Sequence, residues 1–183
     1  MRWPRGYVGT DHETLGSSLL SLFQICPFPD QVLGADNVGR LEKVDPRGWY
    51  GVDWFLALMD RLERFAGSDG LLHLGRKRFE LSHDKRVACS SARDVIYGIE
   101  EMYRHANRGQ AIGGWQVLEF VPGFSVLEKT TPYHCSMEQG ILLAGLDAVD
   151  CPVEIEQRQC FRAGADSCVY AIRALVPDSP WGN

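Results

Sequence analysis

Three cysteines in this sequence sit where chemistry is expected. Cys160 and Cys168 flank a Gly164-Ala165-Asp166-Ser167 turn, and Cys135 stands between a preceding hairpin and a helix containing Gly140 and Gly145. Thiolates are soft donors, and three gathered at one junction supply three corners of a tetrahedral zinc site. The spacing is not a paired CxxC pattern, so three readings stay open: a metal site, packed thiols, and a disulfide, which a reducing compartment disfavours. Cys26, Cys89 and Cys151 are isolated and read as small apolar packing residues.

Other chemistries leave little trace. No GxSxG, P-loop, GxGxxG or HExxH pattern is present. Asp53 and Asp60 share one expected helix, but nothing marks them as an acid/base pair. A haem would need an axial ligand, and His73, His83 and His105 are scattered over polar or amphipathic segments without a CxxCH attachment, so haem is the less favoured cofactor. Trp54, Tyr103, Trp115, Phe120 and Phe124 are candidate walls of an apolar pocket. Gly140 is a candidate for close approach by a backbone or a ligand.

These residues need elements to hold them. Apolar residues at helical spacing predict a helix from about Gly51 to Ala66, stopped by Gly67, and a shorter one from Leu71 to Leu81. Ser90 to Asp94 offers a cap for a helix whose stripe is Val95, Ile96, Ile99, Met102, Tyr103 and Ala106. After Gly113-Gly114 the pattern changes. Strands at 115–121 and 124–131 enclose Pro122-Gly123, a type II turn pair; a helix spans Met137 to Ala148. Alternation from Val153 predicts a third strand, Cys168 to Leu175 a fourth, and 177–183 a tail. Residues 15–25 form a short helix or strand, and 34–43 a weak helix. The expectation is α+β, a helical layer packed on a four-stranded, mainly antiparallel sheet in a single domain, 1–183.

Composition agrees. Hydrophobic residues make up 45% and charged residues 23%, which excludes a disordered chain. The net charge of −5 argues against direct nucleic-acid binding. No apolar run reaches the roughly 18 residues of a membrane span, and no signal-peptide pattern opens the chain, so a cytoplasmic protein is expected.

Pro132-Tyr133-His134-Cys135, the glycines Gly140 and Gly145, Val153 to Cys160, and Gly164 to Tyr170 together resemble the core of the 4-vinyl-reductase-type domain. That family is similar to haem nitric-oxide-binding domains and to TRAPP vesicle-tethering subunits. The likeness is strongest over residues 113–175. It implies a homodimeric domain with an enclosed apolar pocket, and a structural zinc on Cys135, Cys160, Cys168 and a glutamate three residues before the middle cysteine. That position is Gln157 here. Glu156, on the Cys160 face of a regular strand, or His134 would have to substitute. The functional expectation is a sensor or carrier for an aromatic, hydrocarbon or tetrapyrrole-like ligand, signalling through a separate protein. The alternatives are an enzyme or accessory factor in tetrapyrrole vinyl reduction, and a dimeric trafficking-type interaction protein.

Overall fold

The computed structural model describes residues 3–82, 89–176 and 180–182. In chain order its elements are β1 (Glu13–Leu15), α1 (Gly16–Ile25), α2 (Pro29–Val32), α3 (Ala35–Leu41), β2 (Trp49–Gly51), α4 (Val52–Ser82), α5 (Ala92–Ala106), β3 (Asn107–Arg108), β4 (Trp115–Val121), β5 (Phe124–Lys129), α6 (Cys135–Asp147), β6 (Val153–Gln159), a short 3-10 turn (Phe161–Ala163) and β7 (Cys168–Ala174). Among the described residues no helix is long and apolar enough to cross a membrane.

Local signals become elements for recognisable reasons. Ser91 caps α5 by accepting from the Asp94 amide, while the Asp94 carboxylate accepts from the Ser90 amide and from both serine hydroxyls. Those hydrogen bonds, the Ser90 amide first, hold the Asp94 carboxyl below its ordinary range. Val95, Ile96, Ile99 and Tyr103 form the buried face of α5, as the stripe predicts. Gly123, at φ 77°, takes the left-handed position of the β4–β5 turn.

One expectation holds and one changes. At Gly67, which takes the non-helical φ 66°, α4 divides into the two helices predicted before and after it. Pro180 and Trp181, read as part of a tail, are packed. Pro180 and Trp181 carbonyls accept from the first amides of α5, and the Trp181 ring stacks on Phe120 at 5.7 Å.

The four-stranded sheet has the order β4-β5-β7-β6 and is antiparallel throughout. Trp115, Leu127, Tyr170 and Ile172 turn into the core. Helices α5 and α6 meet this sheet through β4 and β6, and α4 crosses α6. A second small sheet, β2-β1-β3, has no counterpart in the sequence expectations.

The α4–α6 crossing is a backbone-on-backbone contact. A methyl group on Gly75 would collide with the Met137 carbonyl and come within 2.9 Å of the Gly140 Cα; one on Gly140 would collide with the Leu72 carbonyl. The close approach expected at Gly140 is therefore made by a helix backbone, and Gly140 does not face a ligand pocket.

A buried polar joint ties the small sheet to the rest. The Tyr7 hydroxyl donates to His12 Nδ1 (3.1 Å), His12 Nε2–H donates to Asn107 Oδ1 (3.1 Å), and Asn107 Nδ2 donates to the Tyr103 carbonyl (2.9 Å). Tyr133 donates its hydroxyl proton to the same Asn107 oxygen. The acceptor on one side and donor on the other assign His12 as a neutral imidazole. Burial lowers its pKa, against the opposing pull of the Asn107 hydrogen bond.

Gly140→Ala is expected to destabilise the protein by about 2–3 kcal/mol in urea unfolding, because backbone must move to admit the methyl. Helix propensity alone predicts a gain of about 1 kcal/mol. Gly98→Ala in α5, where nothing lies within 4 Å, is expected to show that gain. The sign of each change is the measurement.

His12 has a folded pKa below its unfolded value, so the unfolded chain binds the extra proton first. Stability is therefore expected to fall as pH drops from about 7 to 5. His12→Gln, which removes the proton site, is expected to flatten that part of the profile in urea unfolding at several pH values.

Candidate functional site

The structure brings Cys135, Cys160 and Cys168 together. Cys135 Sγ lies 3.4 Å from Cys160 Sγ and 3.3 Å from Cys168 Sγ. Each arrives on a different element: Cys135 opens α6, Cys168 opens β7, and Cys160 precedes the 3-10 turn. That turn curls over the Cys160 carbonyl, which accepts from the Ala163 and Ala165 amides, and Gly164 closes it at φ 108°. Lys129 is the cross-strand partner of Cys168 and is fully buried, with Nζ donating to the Tyr133 carbonyl at 2.6 Å. The Cys135 thiol is held below the ordinary thiol range. The Cys168 S–H donates to it, and Lys129 and the Gln157 amide add to that stabilisation, together outweighing burial. Cys168 is pushed the other way by the same contact.

Glu156 does not join them. Its side chain is exposed and meets Arg158 at 3.3 Å. The expectation assumed a regular strand, but the β6–β7 register shifts between Gln157 and Gln159, and Cys160 lies beyond the strand end. Alternation is lost there, and Gln157 takes the place beside Cys135. As a donor set the cluster fits zinc at three corners. Thiolates about 2.3 Å from a tetrahedral ion lie about 3.8 Å apart, a few tenths more than these sulfurs. The Gln157 carboxamide oxygen or a water would supply the fourth corner.

His134 does not reach the thiols either. It belongs to a neighbouring cluster with Asp60 and Glu63 of α4. Its Nε2 lies 2.9 Å from Asp60, and its Nδ1 accepts from Arg162, which also holds Glu63 through two bonds of 3.1 and 3.0 Å. Partial burial opposes ionisation of Glu63, yet the Arg162 hydrogen bond and the surrounding positive charge hold its carboxyl below the ordinary range. Burial and then Arg162 keep His134 neutral. With every imidazole nitrogen engaged, this cluster is a clamp between α4, the start of α6 and the 3-10 turn.

A cavity of about 550 Å³ lies between α5, the second half of α4, and α6. Its walls include Leu15, Phe79, Ile99, Met102, Tyr103, Trp115, Tyr133 and Ile141, with Arg78, Asn107 and Glu138 as polar groups. Of the predicted pocket residues, Tyr103 and Trp115 line it. Trp54 lies elsewhere, donating to Asn37 under the Arg40 guanidinium. Phe120 is covered by Trp181, and Phe124 sits among the guanidinium groups of Arg158 and Arg173. The two buried charged side chains in the wall were missed. Arg78 is 6% exposed and Glu138 3% exposed. A carboxylate inside the otherwise apolar α6 was the readable signal for Glu138. Arg78 is hidden in the run Arg76-Lys77-Arg78, which reads as a solvated face. Burial raises the Glu138 pKa, although Lys129 and Arg78 oppose the shift, and its Oε1 accepts from Thr131 at 3.0 Å. The Tyr133 hydroxyl is pushed up to about 12 by burial.

Of the histidines considered for iron, His73 is exposed and away from the cavity, His105 is an exposed residue at its rim, and His83 lies outside the described residues.

No protein family matches the sequence, and no curated protein matches it. Solved structures do match in shape. An H-NOX protein from Shewanella oneidensis in the Fe(II)NO state superposes with a TM-score of 0.69 at 15% identity, over 88% of this chain and 99% of that one. The unliganded Fe(II) H-NOX protein from K. algicida gives 0.65 at 13% identity, over 88% and 97%. A doubly substituted Tt H-NOX gives 0.63 at 10% identity, over 92% and 97%. At such identities the likeness concerns the backbone alone, and it establishes that this chain has the fold of the H-NOX, or haem-nitric-oxide-binding, domain.

Proposed function

We propose that this chain is a small-molecule-binding sensor or carrier domain, holding an apolar or aromatic ligand in the cavity between α4, α5 and α6. The observation that carries this reading is the cavity itself. At about 550 Å³, mostly apolar, with a few buried polar groups, it has the size and lining of a ligand site. The fold supports it, since the H-NOX neighbours are described in Fe(II) states with NO or CO bound. The sequence likeness to 4-vinyl-reductase-type domains belongs to the same reading.

Among the described residues the lining does not fit haem. Iron in a haem is held by His, thiolate, Met or Tyr. Both lining tyrosine hydroxyls are committed, Tyr103 to the Ile112 carbonyl and Tyr133 to Asn107. Burial raises the Cys89 pKa and keeps it a thiol. The lining imidazole, His105, is exposed, and His12 and His134 have both nitrogens engaged. Met102 is the remaining donor among the described lining residues and is half-buried.

A zinc on Cys135, Cys160 and Cys168 would pin the β6–β7 connection to the start of α6. Its role would be structural, because three thiolates leave little Lewis acidity. A ligand-dependent change would pass to a separate partner protein.

A saturating apolar aromatic such as 2-naphthol, at about a hundred times its Kd, is expected to raise the melting temperature by about 5–10 °C. Filling the cavity with Ile141→Trp is expected to remove that shift while unfolding stays cooperative. No response to any aromatic or hydrocarbon of a broad panel would remove the reading. A one-to-one haemin complex with a sharp Soret band would replace it with haem binding.

The purified protein is expected to carry one zinc per chain by metal analysis, lost in Cys168→Ser. Gln157→Glu, which restores a carboxylate donor, is expected to hold the ion more tightly against a chelator. Full metal loss with no change in stability would remove the zinc assignment.

A further inference from the structure

Arg78 is the least solvated arginine among the described residues, and none of those residues forms an ion pair with it. One guanidinium nitrogen donates to the Ser18 hydroxyl at 2.9 Å and the other to the Met137 sulfur at 3.5 Å, a weak acceptor. The Phe55 and Tyr133 rings lie 5.1 and 5.5 Å from the guanidinium carbon. No carboxylate among the described residues is ion-paired with it, whereas Arg76, Arg104, Arg108 and Arg162 each have one. Buried charges are ordinarily paired, because an unpaired ion in a low-dielectric site is costly. Glu138 faces the same cavity beyond ion-pairing distance and is shared with Lys129.

We propose that the cavity takes an apolar ligand carrying a carboxylate, and that this carboxylate seats on the Arg78 guanidinium. The planar fork of an arginine matches a carboxylate in two parallel hydrogen bonds, and Arg78 is the buried cation of the wall, whereas Arg104, also in the lining, is exposed and paired with Glu100. Phe79, Ile99, Met102, Trp115 and Ile141 receive the apolar body. Burial raises the Glu138 pKa, against the pull of Lys129 and Arg78, which weakens the opposition of this carboxyl to a ligand carboxylate in the same cavity. This assignment rests on the cavity being the ligand site.

The test compares 2-naphthoate with 2-naphthamide, nearly the same shape with and without the charge, by isothermal titration calorimetry on the whole chain. The acid is expected to bind about tenfold tighter than the amide, the scale of one charge-assisted hydrogen-bond pair. Arg78→Met is expected to erase that preference and Arg78→Lys to keep part of it. Equal binding of acid and amide to the unmodified protein overturns the carboxylate assignment and leaves the ligand site standing. A preference that survives in Arg78→Met does the same. Binding of neither probe, with no change in melting temperature from either, overturns both. The comparison on the unmodified protein decides the question even where Arg78→Met fails to fold.

Discussion

Helices separated by ordinary side chains pack with their axes about 8–10 Å apart, and the closest crossings require that neither backbone carry a side chain at the contact. Gly75 and Gly140 meet that condition, and much of the molecule is arranged around their contact. One turn beyond Gly75, α4 presents Arg78 to the cavity. On α6, Glu138 reaches the same cavity from two residues before Gly140. The other half of α4, before the Gly67 kink, brings Asp60 and Glu63 onto His134, immediately before the first thiol. The cavity wall, the His134 clamp and the entry of α6 into the thiol cluster therefore depend on one crossing. A helix with alanine at either glycine would stand off and open all three.

The crossing also gathers charge where water is scarce. Arg78, Lys129 and Glu138 are all buried, and the Cys135 thiol beside Lys129 is held below its ordinary range. Lys129 has its compensation in the thiol cluster and the Tyr133 carbonyl. The neutral joint of Tyr7, His12, Asn107 and Tyr133 reaches the cavity wall through Asn107 and Tyr133 with satisfied dipoles and adds no net charge. Arg78 is the exception, held by a hydroxyl, a sulfur and two aromatic faces. A fold can bear such a charge when the group has a use, as polar groups that orient a ligand do.

The long elements were readable because their apolar periods are strong. The α5 stripe and the two hairpins follow from spacing and turn residues alone, while the cysteine junction also drew on the family resemblance. What failed has local causes. Strands β1, β2 and β3 are two or three residues long, too short to show a period. Glu156 was placed by strand alternation, which the irregularity after Gln157 breaks. Trp54, Phe120 and Phe124 are aromatic at suitable spacing but meet arginines or the chain end, since spacing specifies a face and not what covers it.

The exchange of glutamate for Gln157 has a consequence for charge. Three thiolates and a divalent zinc would sum to −1, and a glutamate donor would make it −2. Lys129, buried against the same sulfurs, contributes +1. With an amide at position 157 such a zinc-bound group would be neutral as a whole, whereas a carboxylate would leave one uncompensated negative charge in a largely buried junction. Neutrality lowers the cost of closing the junction against water. The carboxylate would give the stronger donor, so affinity for the ion and burial of the site pull in opposite directions at this position. Gln157 lies on the side of burial, and with a zinc bound Lys129 would let the weaker donor suffice.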